Sequence, residues 1–409
     1  MSKTESPAPV LPNRLSSLDA YRGLVMFLMM AEVLHLAQAA KAFPESSLWQ
    51  MLAFHTTHVE WAGCSLHDLI QPSFSFLVGA ALPFSILSRR QKGQSFFWMF
   101  LHAAWRSFLL VALGVFLRST HTSQTRFTFE DTLSQIGLGY LFLFLLGCAR
   151  PWVQWVALVV ILVGYWGAFA LYNPPERGPD FDYAAIGVTP EFEAQNPPYT
   201  GLARHWNKNS NLAFAFDDNY VRRIPELLGH GEAYKPNRGG YATLSFIPTL
   251  GTMILGLLAG GCLRGEWSAG KKFACLAVGG ALALAAGWAL DHYGLCPSVK
   301  RIWTPAWVLV SGGWCLLFTA GFYLLVDTWG LRQVFFPLII IGMNSIAIYF
   351  LVHIELHGFI QRSFRTHGGE AALKFLSDPL QPVVLGAVTL AIDWLILYWM
   401  YRNKVFVRI

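Results

Sequence analysis

The sequence predicts an all-α fold, a polytopic integral membrane helix bundle, and three observations predict it. Hydrophobic residues make up 54% of the chain and charged residues 13%, with a mean hydropathy of +0.42, far from the balance of a soluble globular domain. Apolar runs long enough to cross a hydrocarbon core, about 20 residues each, recur from residue 21 to residue 401. Lys and Arg gather in alternate short segments between these runs, as the positive-inside rule asks.

About ten spans follow from the apolar runs, at roughly 21–40, 67–88, 97–117, 133–149, 152–172, 244–263, 273–290, 305–326, 335–355 and 381–401. Residues 1–20 form a polar, Pro/Ser-rich lead-in with no apolar core before residue 23, unlike a cleavable signal peptide. With that lead-in cytoplasmic, Arg89, Arg90 and Lys92 lie inside, followed by Arg150, by Arg264, Lys271 and Lys272, and by Arg332. An even number of spans returns residues 402–409, with Arg402, Lys404 and Arg408, to the cytoplasm. The Gly- and Ala-rich run 273–290 is the weakest span, and its loss would invert everything after it. A single transmembrane domain, 21–401, is the economical reading, with residues 173–243 as a long outer loop.

The net charge of +6 would suggest nucleic acid in a soluble protein, but here the basic residues are topology signals. The six cysteines form no CxxC pair, so neither a metal nor a redox centre is expected. Cys64 and Cys296 both map outside, which leaves a disulfide open. No internal repeat is visible, which disfavours a carrier.

Polar residues at membrane depth are costly and tend to be functional. Asp19 and Arg22, three apart, open the first span; Glu32 and His35 lie near its outer end. His55 and His58 precede Asp68, which enters the second span. Arg106 sits in the inner half of the third, either snorkelling to headgroups or binding an anion. Asn344 and Ser345 lie within the ninth span as helix glue or pocket. In the long loop, the run HWNKNSNLAFAFDDNYVRR, with Trp206, Asn207 and Asn209, suits stacking and hydrogen bonding to a sugar. Together these groups trace a path across the membrane that fits either a carrier for an anionic or sugar metabolite or an enzyme joining a cytoplasmic donor to an outer acceptor.

The segments SLDAYRG, HVEWAGCSLHDLIQPSFSFLVGA, AAWRSFLL, GMNSI and YRNKVFVRI, in that order, resemble the heparan-alpha-glucosaminide N-acetyltransferase family and its bacterial relatives, part of a wider group of membrane acyltransferases. The likeness spans nearly the whole chain. It implies an enzyme of a bacterial inner membrane that takes acetyl-CoA from the cytoplasmic side and acetylates an amino sugar or glycan end on the other, and it implies a homodimer. His58 matches the family's catalytic histidine in an H-x-x-W-x-G segment, with Trp61 and Gly63 in register; His55 lies outside the motif. Arg106 matches an arginine associated with the CoA phosphates, Arg408 matches a terminal basic residue, and Arg22 converges on the same side. Two positions depart: Val33 stands where an Asn is expected, and Leu133-Ser134-Gln135-Ile136 replaces a leucine-glutamine-arginine-leucine segment. A relative that has kept the fold and lost the activity would show such departures.

Acyl transfer from a thioester needs a base and donors for the oxyanion. The expected base is His58, held by Asp68 or Glu32 with its pKa raised by that carboxylate. Asn344 is the expected oxyanion or substrate donor, and Glu32, Trp61, Trp206, Asn207 and Asn209 are the expected acceptor contacts.

Overall fold

The computed structural model describes residues 15–177, 181–229, 231–369, 373 and 377–407. Twelve helices carry the argument: α1 (Ser16–Met30), α2 (Ile70–Gln91), α3 (Phe96–Ser119), α4 (Thr132–Cys148), α5 (Pro151–Leu171), α6 (Phe246–Arg264), α7 (Ala269–His292), α8 (Pro305–Phe322), α9 (Phe336–Met343), α10 (Ser345–His353), α11 (Leu356–Phe364) and α12 (Gln381–Arg402). Among the described residues, seven helices are long and apolar enough to cross a membrane, and eight if α9 and α10, bent by 72° at Asn344, count as one broken span.

The run 273–290 lies in one continuous helix of 24 residues. The shortfall from ten comes from two elements. α1 has only 15 residues before a 3-10 turn that ends at His35, whose φ of 49° is left-handed. α4 has 17.

Helix ends follow local chemistry. Asp131 caps α4 by accepting from Leu133 N and Ser134 N at 3.0 Å, Thr304 caps α8 ahead of Pro305, and Pro151 occupies the first turn of α5; each relieves the unpaired donors of a helix start. Packing in the bundle uses small residues, because helices in lipid gain little from apolar burial alone and associate by close backbone approach. A Cβ on Gly256 would strike Phe76 O, and one on Gly342 would strike Asp19 O, so α6 crosses α2 and α9 crosses α1 nearly backbone to backbone.

The described residues of 173–243 fold into short helical turns, among them Pro190–Gln195, Gly201–Trp206 and Leu212–Phe216, that form a cap packed against α5 and the loop before α8. Its core is aromatic: Trp206 stacks on Phe169 of α5 at 4.3 Å between ring centroids, and Tyr165 of α5 bonds Ile302 O at 3.0 Å. This cap and the loop before α8 are therefore fixed to the helices. Cys64 and Cys296 are free thiols.

Candidate active site

The His58 loop is held from two sides. Ala62 forms an isolated antiparallel bridge with Val299, and Gly63, at a φ of 121° that favours glycine, donates its N–H to Ser298 O at 3.0 Å. On the other side Trp61, buried, donates Nε1–H to Trp206 O at 3.2 Å, and Arg301 donates to Val59 O at 3.2 Å. The spacing of Trp61 and Gly63 from His58 thus serves the scaffold: the indole ties the loop to the cap, and the glycine ties it to the loop carrying Lys300.

Asp68 is the hub. Its side chain is 1% exposed and accepts from the backbone N–H of Val59 and of Ser65, both at 3.2 Å. His58 Nδ1 lies 2.8 Å from Asp68 Oδ1, and Lys300 Nζ lies 3.3 Å from the same oxygen and 3.2 Å from Nδ1. The shortest contact sets the tautomer: Nδ1–H donates to the carboxylate, which leaves Nε2 with its lone pair. His58 keeps 40% of its side chain exposed and lines a cavity of about 360 Å3 with Glu32, His67, Lys300, Tyr349 and His357.

The His58 pKa moves down, against the expected rise: burial lowers it first, the Asp68 hydrogen bond opposes that, and the Lys300 ammonium lowers it again. His58 is therefore neutral at neutral pH, the form a general base needs. Burial likewise pushes Lys300 down, against the pull of Asp68.

A second cavity, about 540 Å3, is lined by Arg22, Arg89, His102, Arg106, Tyr140 and Ser345, among others. Arg106 donates to Tyr140 OH at 3.1 Å and lies 4.6 Å over that ring, while its Nε is buried without a hydrogen bond among the described residues. Arg22 pairs with Asp19 at 3.2 Å. Phe74, Thr132 and Tyr349 line both cavities, so the two share a wall. A third cavity, about 630 Å3 and beneath the cap, meets the first at Arg118, Glu130 and Tyr241.

The remaining candidates fall in different places. Glu32 is in the histidine cavity but pairs with His67 at 3.2 Å rather than with His58. Asn344 is elsewhere: its amide N–H donates to Val405 O at 3.1 Å and its Oδ1 accepts from Val407 N at 3.2 Å, so it clamps the tail at the break between α9 and α10. Trp206, 1% exposed, and Asn207, bonded to both polar backbone atoms of Tyr199, build the cap's interior. Asn209 bonds Ile186 O and Asn237 O and lines the cap cavity. Arg408 lies outside the described residues. Gln135, one of the departures, is buried and donates to Phe129 O and Thr243 O, at 2.8 and 3.2 Å, so it fastens the cap's last residues to α4.

Lys300 and the pair His357–Asp393 were missed by sequence reasoning. The signal available for Lys300 was its place directly before a span, in KRIWTPAW, and for Asp393 a carboxylate in the middle of the last apolar run.

No family model matches the chain. Two curated relatives do. The heparan-alpha-glucosaminide N-acetyltransferase of Homo sapiens is 25% identical over 435 residues, covering 98% of this chain and 60% of that protein. The enzyme of the same name from Mus musculus is 24% identical over 435 residues, covering 97% of this chain and 61% of its own length. The chain thus spans about 60% of the length of these relatives. Its apolar helices make it a multi-pass membrane protein, and along nearly its whole length it is a distant homologue of the heparan-alpha-glucosaminide N-acetyltransferases.

Proposed function

We propose that the protein is a membrane acetyltransferase that moves an acetyl group from acetyl-CoA, bound in the arginine cavity, to an amino sugar or glycan end in the histidine cavity. The observation that carries this reading is the wall of Phe74, Thr132 and Tyr349 common to both cavities, where a donor from one end of the bundle would meet an acceptor from the other. The donor cavity fits a polyanionic carrier: Arg22, Arg89, His102 and Arg106 line it, and among the described residues the buried Arg106 Nε finds no acceptor.

Acetyl-CoA would supply an activated acyl thioester. The chain's own part is acid–base and positional. His58 Nε2 takes a proton from the acceptor nitrogen, Asp68 fixes the ring through Nδ1, and burial together with Lys300 keeps the imidazole neutral until that proton arrives. Asn344 does not enter this scheme, because both its amide atoms are engaged by the tail.

The topology belongs to the same proposal. α1 and α4, short as helices, would complete ten spans with their flanking turns. Both termini would be cytoplasmic, the cap would face outward, and the site would be a bacterial inner membrane.

Proteoliposomes given acetyl-CoA on the arginine side and glucosamine on the cap side test this directly. Formation of N-acetylglucosamine by the wild type and its loss in His58→Ala are expected. Passage of solute without acetylation, unchanged in His58→Ala, would replace the enzyme with a carrier.

A further inference from the structure

Histidine–carboxylate pairs recur in the histidine cavity. Besides His58 with Asp68, His67 pairs with Glu32 at 3.2 Å and His357 Nε2 lies 2.7 Å from Asp393 Oδ2; all three histidines line the same space. The pairs differ in burial. Glu32 is 58% exposed, whereas Asp393 is sealed at 0%, as Asp68 nearly is. Asp393 sits midway along α12, and its second oxygen, Oδ1, is buried without a hydrogen bond among the described residues. A carboxylate at that depth is costly unless a partner or a function retains it.

An amine acceptor needs more proton acceptance than His58 alone provides. A primary amine reaches the cavity as an ammonium ion, which has no lone pair for attack. It loses one proton to become the nucleophile. It loses a second as the N–C bond forms and the C–S bond breaks, the electron pair of that bond leaving on sulfur. His58 takes the second proton and can return it to the departing thiolate. His67 is badly placed to take the first, since its ring centroid lies 4.4 Å from that of His58 and two imidazolium ions so close would oppose each other. His357 comes from a different element, α11, just after the left-handed Glu355 at φ 72°.

We propose that His357, oriented by Asp393, is a second base of this cavity, which takes the first proton of an acceptor arriving as an ammonium ion and releases it to water. The proposal rests on the acetyltransferase reading above and narrows its acceptor to a protonated primary amine. Other charged or titratable groups facing the cavity are Glu32 and His67 beyond α1 and before α2, Arg118 paired with Glu130, Asp131 at the start of α4, Tyr349 and His353 on α10, Tyr241 of the cap, and Lys300 with Asp68.

The test is a pH profile of acetyl transfer from acetyl-CoA to glucosamine by the purified protein and by His357→Gln and Asp393→Asn. His357→Gln is expected to lose about 10²-fold in kcat/KM at pH values where the amine is protonated, a size typical of one general base. It should recover most of that loss at alkaline pH, where the acceptor arrives neutral, and the recovery itself reports a folded protein. Asp393→Asn, which keeps the imidazole, should show a weaker form of the same pH-dependent loss. A loss by one constant factor at every pH in both variants, or none at any pH, overturns the inference and leaves acetyl transfer standing. Failure of the wild type to form N-acetylglucosamine at any pH would remove the acetyltransferase reading, and this inference with it.

Discussion

At the cap end of the bundle Asp68 receives His58, Lys300 and two backbone amides, so its charge is met on every side. Across the shared wall, Arg106 meets a tyrosine hydroxyl and ring, and its Nε is buried without a hydrogen bond among the described residues. The first cluster is compensated from within, which fixes geometry and holds a histidine neutral. The second is cation-rich, lined by Arg22, Arg89, His102 and Arg106, and a polyanion would add charge-assisted hydrogen bonds there. In the proposed function, this difference would divide the work, with proton transfer at one end and anion binding at the other.

Separating the two ends by mutation tests the comparison, and the largest effect belongs to the compensated end. His58→Ala should lower turnover by about 10²–10⁴-fold, the range for a lost general base. Its affinity for acetyl-CoA should stay near that of the wild type. Measuring kcat together with a ligand-induced thermal shift checks both, since a ligand that binds only the folded state raises its stability; turnover at the wild-type rate would end the base assignment. At the other end, Arg106→Ala should weaken acetyl-CoA binding by about 10-fold or more, as expected for one charge-assisted hydrogen bond, with little change in acceptor KM. Equal affinity in that variant would return Arg106 to snorkelling towards headgroups.

The two ends also differ in how far the sequence revealed them. Spans were legible because apolar length is a local property: the Gly- and Ala-rich run 273–290 lies in an unbroken helix. The break at Asn344 was not, since the 72° bend there depends on where the amide finds the tail. The sequence offered Asp68 or Glu32 as the partner of His58; the structure joins it to Asp68, ten residues on, at 2.8 Å, and gives Glu32 to His67. Lys300 lies 242 residues from His58 and reaches it through the Ala62–Val299 bridge and the bonds of Gly63 to Ser298 and Arg301 to Val59, which no local pattern announces. The cap residues Trp206 and Asn207 carried a polar, aromatic composition that suits a sugar, but composition cannot tell a binding surface from an interior that satisfies its own backbone.

The finest test changes the charge beside His58 and leaves the hydrogen bonds of Asp68 in place. Lys300→Gln keeps an N–H donor for the carboxylate while removing the ammonium 3.2 Å from Nδ1. In the wild type, burial and Lys300 together hold the His58 pKa below its ordinary value of about 6.5, so the imidazole stays neutral, and the base competent, to lower pH. Folded His58 then binds its proton more weakly than the unfolded chain does. Its pairing stabilises the protein fully above about pH 6.5 and loses that contribution as pH falls through the folded-state value. Without the ammonium, burial and His67 still lower the pKa, but the pull of Asp68 meets less opposition. The acid limb of the kcat/KM profile should therefore move to higher pH in Lys300→Gln, with activity near wild type on the alkaline plateau and reduced near pH 6. A limb that stays in place would mean that Lys300 serves Asp68 alone, and a limb that moves to lower pH would reverse the sign of the electrostatic argument at this end of the bundle.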